Sequence, residues 1–280
     1  SLWGRFGFGQ IPLPDAIYSG LAVVAGVGLL GLLLSLLRRE PGQLLDRVFP
    51  ALLALDVVLF FAVLFNYMLI SPAGAMGRFF FPGLPALGLL LFYGLSGWPA
   101  LLQPPERGLP ALALAANGAM LALSLVALSG YLAPAYARPP AFAEGEPIPN
   151  EVNARFDALA SLRGYELSAT TLRPGEALEI DLYWEVNAQP PGDFVLFVHL
   201  IDGSGALVAQ RDSHPGTGNF PTRYWRPGDR FVDSIRLYLP ETAYTPETAT
   251  LSVGLAGPDY RLGITGPDGP SHHGMWDLSL

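Results

Sequence analysis

Residues 17–37 read IYSGLAVVAGVGLLGLLLSLL, a run without one charged side chain that stops at Arg38-Arg39-Glu40-Pro41-Gly42. An α-helix rises 1.5 Å per residue, so a run of this length measures about 30 Å, the thickness of a bilayer's hydrocarbon core. Three more runs follow. Residues 48–70 end at Ser71-Pro72, residues 79–97 carry Pro82 and Pro85 in their first turns, and residues 109–132 form the last. Proline is best tolerated in a first helical turn. Runs this long are seldom core helices of a water-soluble bundle, so the sequence predicts about four transmembrane helices.

Composition divides the chain. It is 51% hydrophobic and 14% charged, with a net charge of −8, against roughly 25% charged residues in soluble domains. Residues 1–140 carry seven Arg and five acids, a net of +2; residues 141–280 carry nine Arg and nineteen acids, a net of −10. All 16 basic residues are Arg, which reads as a GC-rich codon bias. There is no Cys, hence no disulfide framework, thiolate nucleophile or zinc knuckle. An acidic chain without basic clusters excludes nucleic acid as a partner, because phosphate contacts dominate that affinity. No cofactor-binding or metal-binding pattern is present. The first residue is Ser1, and the opening stretch lacks the basic start and short apolar core of a signal peptide. The expectation is the back end of a longer protein.

Arginine placement sets an expected orientation. Arg38, Arg39, Arg47 and Arg107 fall on one side of the four spans; Arg5, Arg78 and Arg138 fall on the other. The tight Arg38-Arg39-Arg47 group places the first loop in the cytoplasm, both termini outside and the acidic half extracytoplasmic. Residues 1–14, with Trp3, Phe6 and Phe8 among glycines, then form an outer interfacial segment. Residues 15–132 are the transmembrane region, 133–150 a Pro/Ala-rich linker, and 151–280 an extracytoplasmic domain.

Asp56, Asn66 and Asn117 lie inside the spans. An intramembrane carboxylate is costly and is by default a functional hypothesis. Asp56 and Asn117 each sit about eight residues from a cytoplasmic helix end, roughly 12 Å deep. That common depth suits an interhelical hydrogen bond, the simpler reading, or a proton or substrate relay. Arg78 stands at the outer mouth of the third span beside three aromatic residues. A guanidinium there either binds a lipid phosphate or anchors the chain at the interface.

The run Gly77-Arg78-Phe79-Phe80-Phe81-Pro82-Gly83-Leu84-Pro85 resembles the G-R-[YF]-x-[FL]-P-x-x-P signature near the end of many bacterial polytopic membrane proteins. These are GT-C-type glycosyltransferases, which take sugars from polyprenyl-phosphate carriers, and a related uncharacterised family. Trp3-Gly4-Arg5-Phe6-Gly7-Phe8-Gly9 with Pro12-Leu13-Pro14 resembles the W-G-x-F-G-W…P-L-P segment upstream of it. The resemblance covers residues 1–130 and implies the last helices of a much longer enzyme. The catalytic acid of such enzymes lies in a first outer loop, and no residue here corresponds to it.

Beyond residue 150 the hydrophobic period changes to two. Leu178, Ile180, Leu182, Trp184 and Val186 alternate with Glu179, Asp181, Tyr183 and Glu185, a half-buried strand. Residues 194–201, 206–210, 231–239 and 249–255 read likewise. Arg173-Pro174-Gly175, Asp202-Gly203-Ser204-Gly205, Arg226-Pro227-Gly228-Asp229 and Pro267-Asp268-Gly269 supply turns. Seven to nine such strands predict an all-β sandwich, immunoglobulin-like or jelly-roll. Tyr183-Trp184, Phe197-Val198-His199-Leu200, Gln210-Arg211-Asp212-Ser213 and Trp225-Arg226-Pro227-Gly228 resemble a β-sandwich module at the C-terminus of such membrane proteins in filamentous green bacteria; the module carries no transferable activity.

His199 and Asp212 are candidates for a hydrogen-bonded pair on adjacent strands, or for a metal or acid–base site with His214 or Asp233. Tyr224, Trp225 and Trp276 are candidates for stacking on sugar rings of a glycan or for contact with a partner, core packing being the simpler reading. His272 and His273 sit in a polar tail. Two functions compete. One is the C-terminal part of a membrane glycosyltransferase working on lipid-linked sugars in cell-envelope glycan assembly, with membrane lipids, a polyprenyl-phosphate carrier and a glycan as partners. The other is a non-catalytic membrane subunit whose sandwich docks onto other subunits of a larger complex.

Overall fold

Proline stands at the start of most helices in the first half of the chain, while Pro50 and Pro110 lie inside helices. The structure is a computed structural model that describes residues 6, 11–38, 44–70, 77–98, 105–241, 243–267, 269–270 and 274–278. It divides into two units, Ser1–Leu132 and Ala133–Leu280. Helix α1 (Asp15–Arg38) starts directly after Pro14, with Asp15 in its first turn, where a carboxylate meets the positive end of the helix dipole. Helix α2 spans Leu44–Ile70 and holds Pro50 in its second turn. Helix α4 spans Pro105–Val126, passes into a π-helical turn at Ala127–Leu132 and ends in a short turn at Ala133–Ala135.

The third apolar run departs from the long span expected over residues 79–97. It opens as a 3-10 helix over Gly77–Gly83 that contains Pro82, and only then becomes helix α3 (Leu84–Ser96), with Pro85 in its first turn. A proline placed deeper in an α-helix would lose an i→i−4 hydrogen bond and clash with the preceding turn, so the α-helix starts late and is 13 residues long. Three helical stretches are long and apolar enough to cross a membrane, Asp15–Ser35, Val48–Tyr67 and Gly108–Ala135; Phe80–Ser96 is a shorter apolar helix.

Glycine lets α1 and α3 approach closely. A Cβ added at Gly94 would overlap the carbonyl oxygen of Gly28, and one at Gly31 would overlap that of Gly94. Gly28 also faces Leu91, so the numbering rises together along both helices and the pair is parallel. The Trp98 indole N–H donates to the Val27 carbonyl at 3.2 Å, tying the end of α3 to α1. Small residues that bring backbones together in this way are the usual means of helix association in lipid.

The second unit is two antiparallel sheets around one apolar core. Its strands are β1 (Asn150–Phe156), β2 (Ala160–Leu167), β3 (Ala177–Val186), β4 (Val195–Asp202), β5 (Leu207–Ser213), β6 (Arg230–Tyr238), β7 (Ala249–Ala256), β8 (Ile264–Gly266), β9 (Gly269–Pro270) and β10 (Trp276–Leu278). One sheet runs β6-β3-β2-β1-β8-β9, the other β10-β7-β4-β5. The alternation read in 178–186 is the burial pattern of β3: Leu178, Ile180, Leu182, Trp184 and Val186 all enter the core. Leu196, Val198, Leu251, Val253 and Leu255 meet them from the other sheet. The Arg226-Pro227-Gly228-Asp229 turn closes through the Asp229 amide on the Arg226 carbonyl, and Gly228 holds the required positive φ of 87°.

Strand β6 is an edge, and the stretch read as a linker covers part of it. Ala141 bridges Phe231, and the Val232 amide donates to the Pro140 carbonyl at 2.9 Å. Arg138 pairs with Asp229 at 3.0 Å, and Glu144 with Arg230 at 3.1 Å. A covered edge offers fewer free backbone groups to a second chain.

Candidate functional site

In the helical unit, the polar residues singled out by the sequence do not converge. Asn117 is exposed and donates to the Ala113 carbonyl of its own helix at 2.8 Å. Asp56 is half-buried on α2, and no hydrogen bond joins it to Asn117. Ser124 and Ser129 bond back to Met120 and Leu125 in the same way, the usual fate of a hydroxyl on a helix without an external partner. Arg78 lies in the 3-10 turn, and its side chain falls outside the described residues. So do Arg5, Arg39, and the side chains of Arg38, Arg47 and Arg107. Of the same motif, Phe80 is buried, and its ring lies with Phe60 of α2 beside Gly83.

The three aromatics proposed for a glycan or partner take different places. Trp225 is fully buried, with its ring 5.9 Å from Trp184 and 5.2 Å from Phe231, so it is core. Trp276 on β10 is partly buried and lies against Gly266, where a Cβ would strike its ring. Tyr224 is 53% exposed, and the Arg223 guanidinium lies over its ring at 5.5 Å. The local order follows from Thr222, whose buried hydroxyl accepts from the Phe194 amide at 2.9 Å and donates to the Gly192 carbonyl at 2.8 Å. Arg223 closes the loop onto Asp193 at 3.2 Å.

His199 and Asp212 do meet, Nε2 to Oδ1 at 2.9 Å, from adjacent strands β4 and β5. Register extends the row: Ser252 of β7 stands opposite His199, and Asp277 of β10 stands opposite Ser252. The buried Ser252 hydroxyl donates to Asp277 at 2.5 Å and not to the imidazole. It is therefore no activated nucleophile of the Ser–His–Asp kind, in which the base takes the hydroxyl proton. Nothing along the sequence marked Ser252 or Asp277, because cross-strand register brings them in. His214 bonds the Phe194 carbonyl through Nδ1 at 3.1 Å, apart from this row. His272 and His273 lie outside the described residues.

Asp233 is the one fully buried carboxylate among the described residues. It points inward from β6. Its Oδ1 accepts from the Gly216 amide at 2.8 Å, while Oδ2 has no hydrogen-bond partner. Burial pushes its pKa up to about 7; the Gly216 amide opposes the rise and the Asp181 charge adds to it. The indole nitrogens of Trp184 and Trp225 are also buried without partners.

An open depression of about 600 Å³ lies where the covering strap meets β6, lined by Arg138, Phe142, Asp229, Arg230 and Phe231 among others. Its charges are already matched, Arg138 with Asp229 and Arg230 with both Glu144 and Glu185. Among the described residues no three His, Asp or Glu side chains gather as metal ligands.

No protein-family description matches the chain, and no solved structure does. Short segments are similar to 1-deoxy-D-xylulose-5-phosphate synthases. Twenty residues are 85% identical to the enzymes of Renibacterium salmoninarum and Clavibacter sepedonicus, covering 7% of this chain and 3% of either enzyme. Seventy-seven residues are 38% identical to the enzyme of Tropheryma whipplei, covering 28% of this chain and 10% of that one. The chain thus spans 3% to 10% of the length of the curated relatives it matches, and these segments show no family.

Proposed function

We propose that this chain is the C-terminal part of a polytopic protein of the bacterial cytoplasmic membrane that works with lipid-linked sugars in cell-envelope glycan assembly. Its two-sheet unit is an extracytoplasmic sandwich of immunoglobulin-like or jelly-roll kind that contacts acceptor glycan or a partner protein. The observation that carries the reading is the Gly77–Gly83 turn at the head of an apolar helix, with Phe80 buried against the α2 side of that turn. On this reading Arg78, a residue of that turn, stands at the outer mouth of the span, where a guanidinium fork binds a lipid phosphate through two parallel hydrogen bonds. Retention of phosphate-bearing lipid, read by native mass spectrometry, tests this. Arg78→Lys keeps the charge but loses the fork and should retain less than the wild type; Arg78→Ala should retain least. Equal retention by all three would make Arg78 an interfacial anchor and remove the lipid-linked substrate.

The alternative reading is a non-catalytic membrane subunit docking through its sandwich onto a larger complex. Sequence upstream of Ser1 separates the two. An acidic residue in a first outer loop supports the enzyme, and a start codon just before Ser1 supports the subunit.

A further inference from the structure

Asp233 reaches from β6 to the loop over residues 214–220, and that loop holds the strap. The Gly216 amide donates to Asp233 Oδ1 at 2.8 Å. The loop winds through three consecutive left-handed residues, Gly216 at φ 66°, Thr217 at 56° and Gly218 at 92°. A β-branched residue such as Thr217 is strained there, so its partners hold the loop closed against its own preference. It touches the strap, residues 136–144, at three points. Asn219 donates to the Tyr136 carbonyl, and the Arg138 guanidinium lies 5.0 Å from the Phe220 ring centroid. A Cβ added at Gly216 would stand 3.3 Å from the Pro139 side chain. Directly beyond Pro139 the strap covers the β6 edge, where the Val232 amide donates to the Pro140 carbonyl at 2.9 Å.

The charged form of Asp233 does not suit this site. The residue is 1% exposed, and a single amide serves its two oxygens. Asp181 on the neighbouring β3 adds a like charge. Among the described residues no cation offsets it. Arg211 of β5 interacts with Tyr136 and Asp212, Arg138 of the strap pairs with Asp229, and His214 of the loop turns Nδ1 to the Phe194 carbonyl. A buried carboxylate so placed either keeps its proton or gains water by opening what covers it. On one side the cover is β3, paired with β6 in unbroken register from Ala177–Tyr238 to Glu185–Arg230. The cover that can move is the strained loop.

We propose that the 214–220 loop is a pH-operated latch on the strap, closed while Asp233 holds its proton and opening, together with the strap, when that proton leaves. The strap's own ion pairs are weak restraints: Glu144, which pairs with Arg230, is 85% exposed, and exposed pairs contribute little in water. Opening bares the backbone of the β6 edge, to which a further strand can add. Burial pushes the carboxyl up to about 7 in the closed state, against 3.8 when solvated. Between these values the open form has released a proton that the closed form keeps. Closure therefore weakens as pH rises from about 4 to about 7 and changes no further above that.

Amide hydrogen exchange of the full detergent-solubilised chain, corrected for the intrinsic pH dependence of exchange, tests the latch from about pH 5 to about pH 8. Protection of residues 214–220 and of the Val232 amide should fall at least about tenfold between about pH 5 and about pH 7, then level off. It should also stay at least about tenfold below the protection of β4 and β7 at every pH, because the latch opens without unfolding the sheets. Asp233→Asn, which has no proton to lose, should show no such fall. Protection that is flat with pH in the wild type, or that falls equally in the variant, overturns the proposal. Protection of the loop equal to that of β4 and β7 overturns it too, since the whole unit would then be unfolding. A fall in the loop with Val232 unchanged cuts the link to the strap and sinks the latch. The wild-type slope and its comparison with β4 and β7 decide the matter even where the variant fails to fold.

Discussion

Leu182 and Leu114 are the same side chain in two surroundings. Leu182 is fully buried between two sheets, and Leu114 on α4 is 77% exposed. The contrast holds across both units. In the helical stretches long enough to cross a membrane only 6% to 11% of the most apolar window is buried. In the sheet unit every inward position of β3 is covered. The sheet unit follows the ordinary logic of water, where apolar area removed from solvent stabilises the fold by about 25 cal/mol per Å². The helical unit satisfies its backbone internally and leaves its side chains outward. That is a stable arrangement where the solvent is hydrocarbon, because packing there comes from close backbone approach and not from hydrophobic burial.

The largest expected effect tests the water side of this comparison. Trp184→Ala removes a fully buried indole that packs on Phe156 and Trp225 at 4.9 and 5.9 Å. It should destabilise the sheet unit by about 3–5 kcal/mol, read as a shift in the denaturant midpoint followed by near-ultraviolet circular dichroism. A loss below about 1 kcal/mol would mean that the two sheets do not share a tight core.

Asp233 sharpens the same side. Its carboxyl titrates near 7 when folded and near the ordinary value of 3.8 when unfolded. Between those values the folded chain holds a proton that the unfolded chain has released, so stability falls as pH rises from about 4 to about 7. The shift corresponds to at most about 4 kcal/mol. Denaturation of the wild type and of Asp233→Asn across that range checks it: the variant should lack this downward slope. A wild type whose stability rises with pH would place the charged carboxylate in a solvated site.

How much of this the sequence disclosed depended on distance along the chain. The alternation in β3, the Gly228 turn and the apolar helices are local patterns, and each appears close to where the residues predict it. Strand β1 was harder to see. It reads Asn-Glu-Val-Asn-Ala-Arg-Phe, and a register shift between Glu151 and Ala154, with Asn153 at φ 54°, breaks its period. The surroundings of His199 and Asp233 are not legible beyond Asp212. Register sets Ser252 opposite His199 and Asp277 opposite Ser252, and loop closure brings the Gly216 amide to Asp233, none of which spacing encodes. Trp225 lies in the core, the simpler of the two readings its sequence allowed, because the Thr222 loop turns the indole inward between its polar neighbours Tyr224 and Arg226.

A smaller effect belongs to the helical unit. Gly94→Ala places a methyl group against the Gly28 carbonyl and should force α1 and α3 apart, at about 1–3 kcal/mol, as overpacking does elsewhere. A lowered thermal midpoint of the detergent-solubilised chain is the readout. Gly118→Ala, where a Cβ meets nothing, serves as the matched control and should leave the midpoint in place. Equal midpoints for both variants would mean that the glycine crossing contributes nothing.

Leu114→Ala carries the smallest expected effect and probes the contrast most directly. In water-soluble cores the loss of a leucine side chain costs about 2–5 kcal/mol, through lost burial and the cavity left behind. At Leu114 both contributions vanish if lipid is the neighbour, because acyl chains occupy the vacated volume and the side chain leaves no aqueous surface bare. The expected change in the thermal midpoint of the chain in lipid nanodiscs corresponds to less than about 0.5 kcal/mol. In detergent below its critical concentration the same residue meets water, and wild type and variant should then differ in aggregation, the alanine form aggregating less. A loss of several kcal/mol in nanodiscs would show that another protein helix, and not lipid, covers this face of α4.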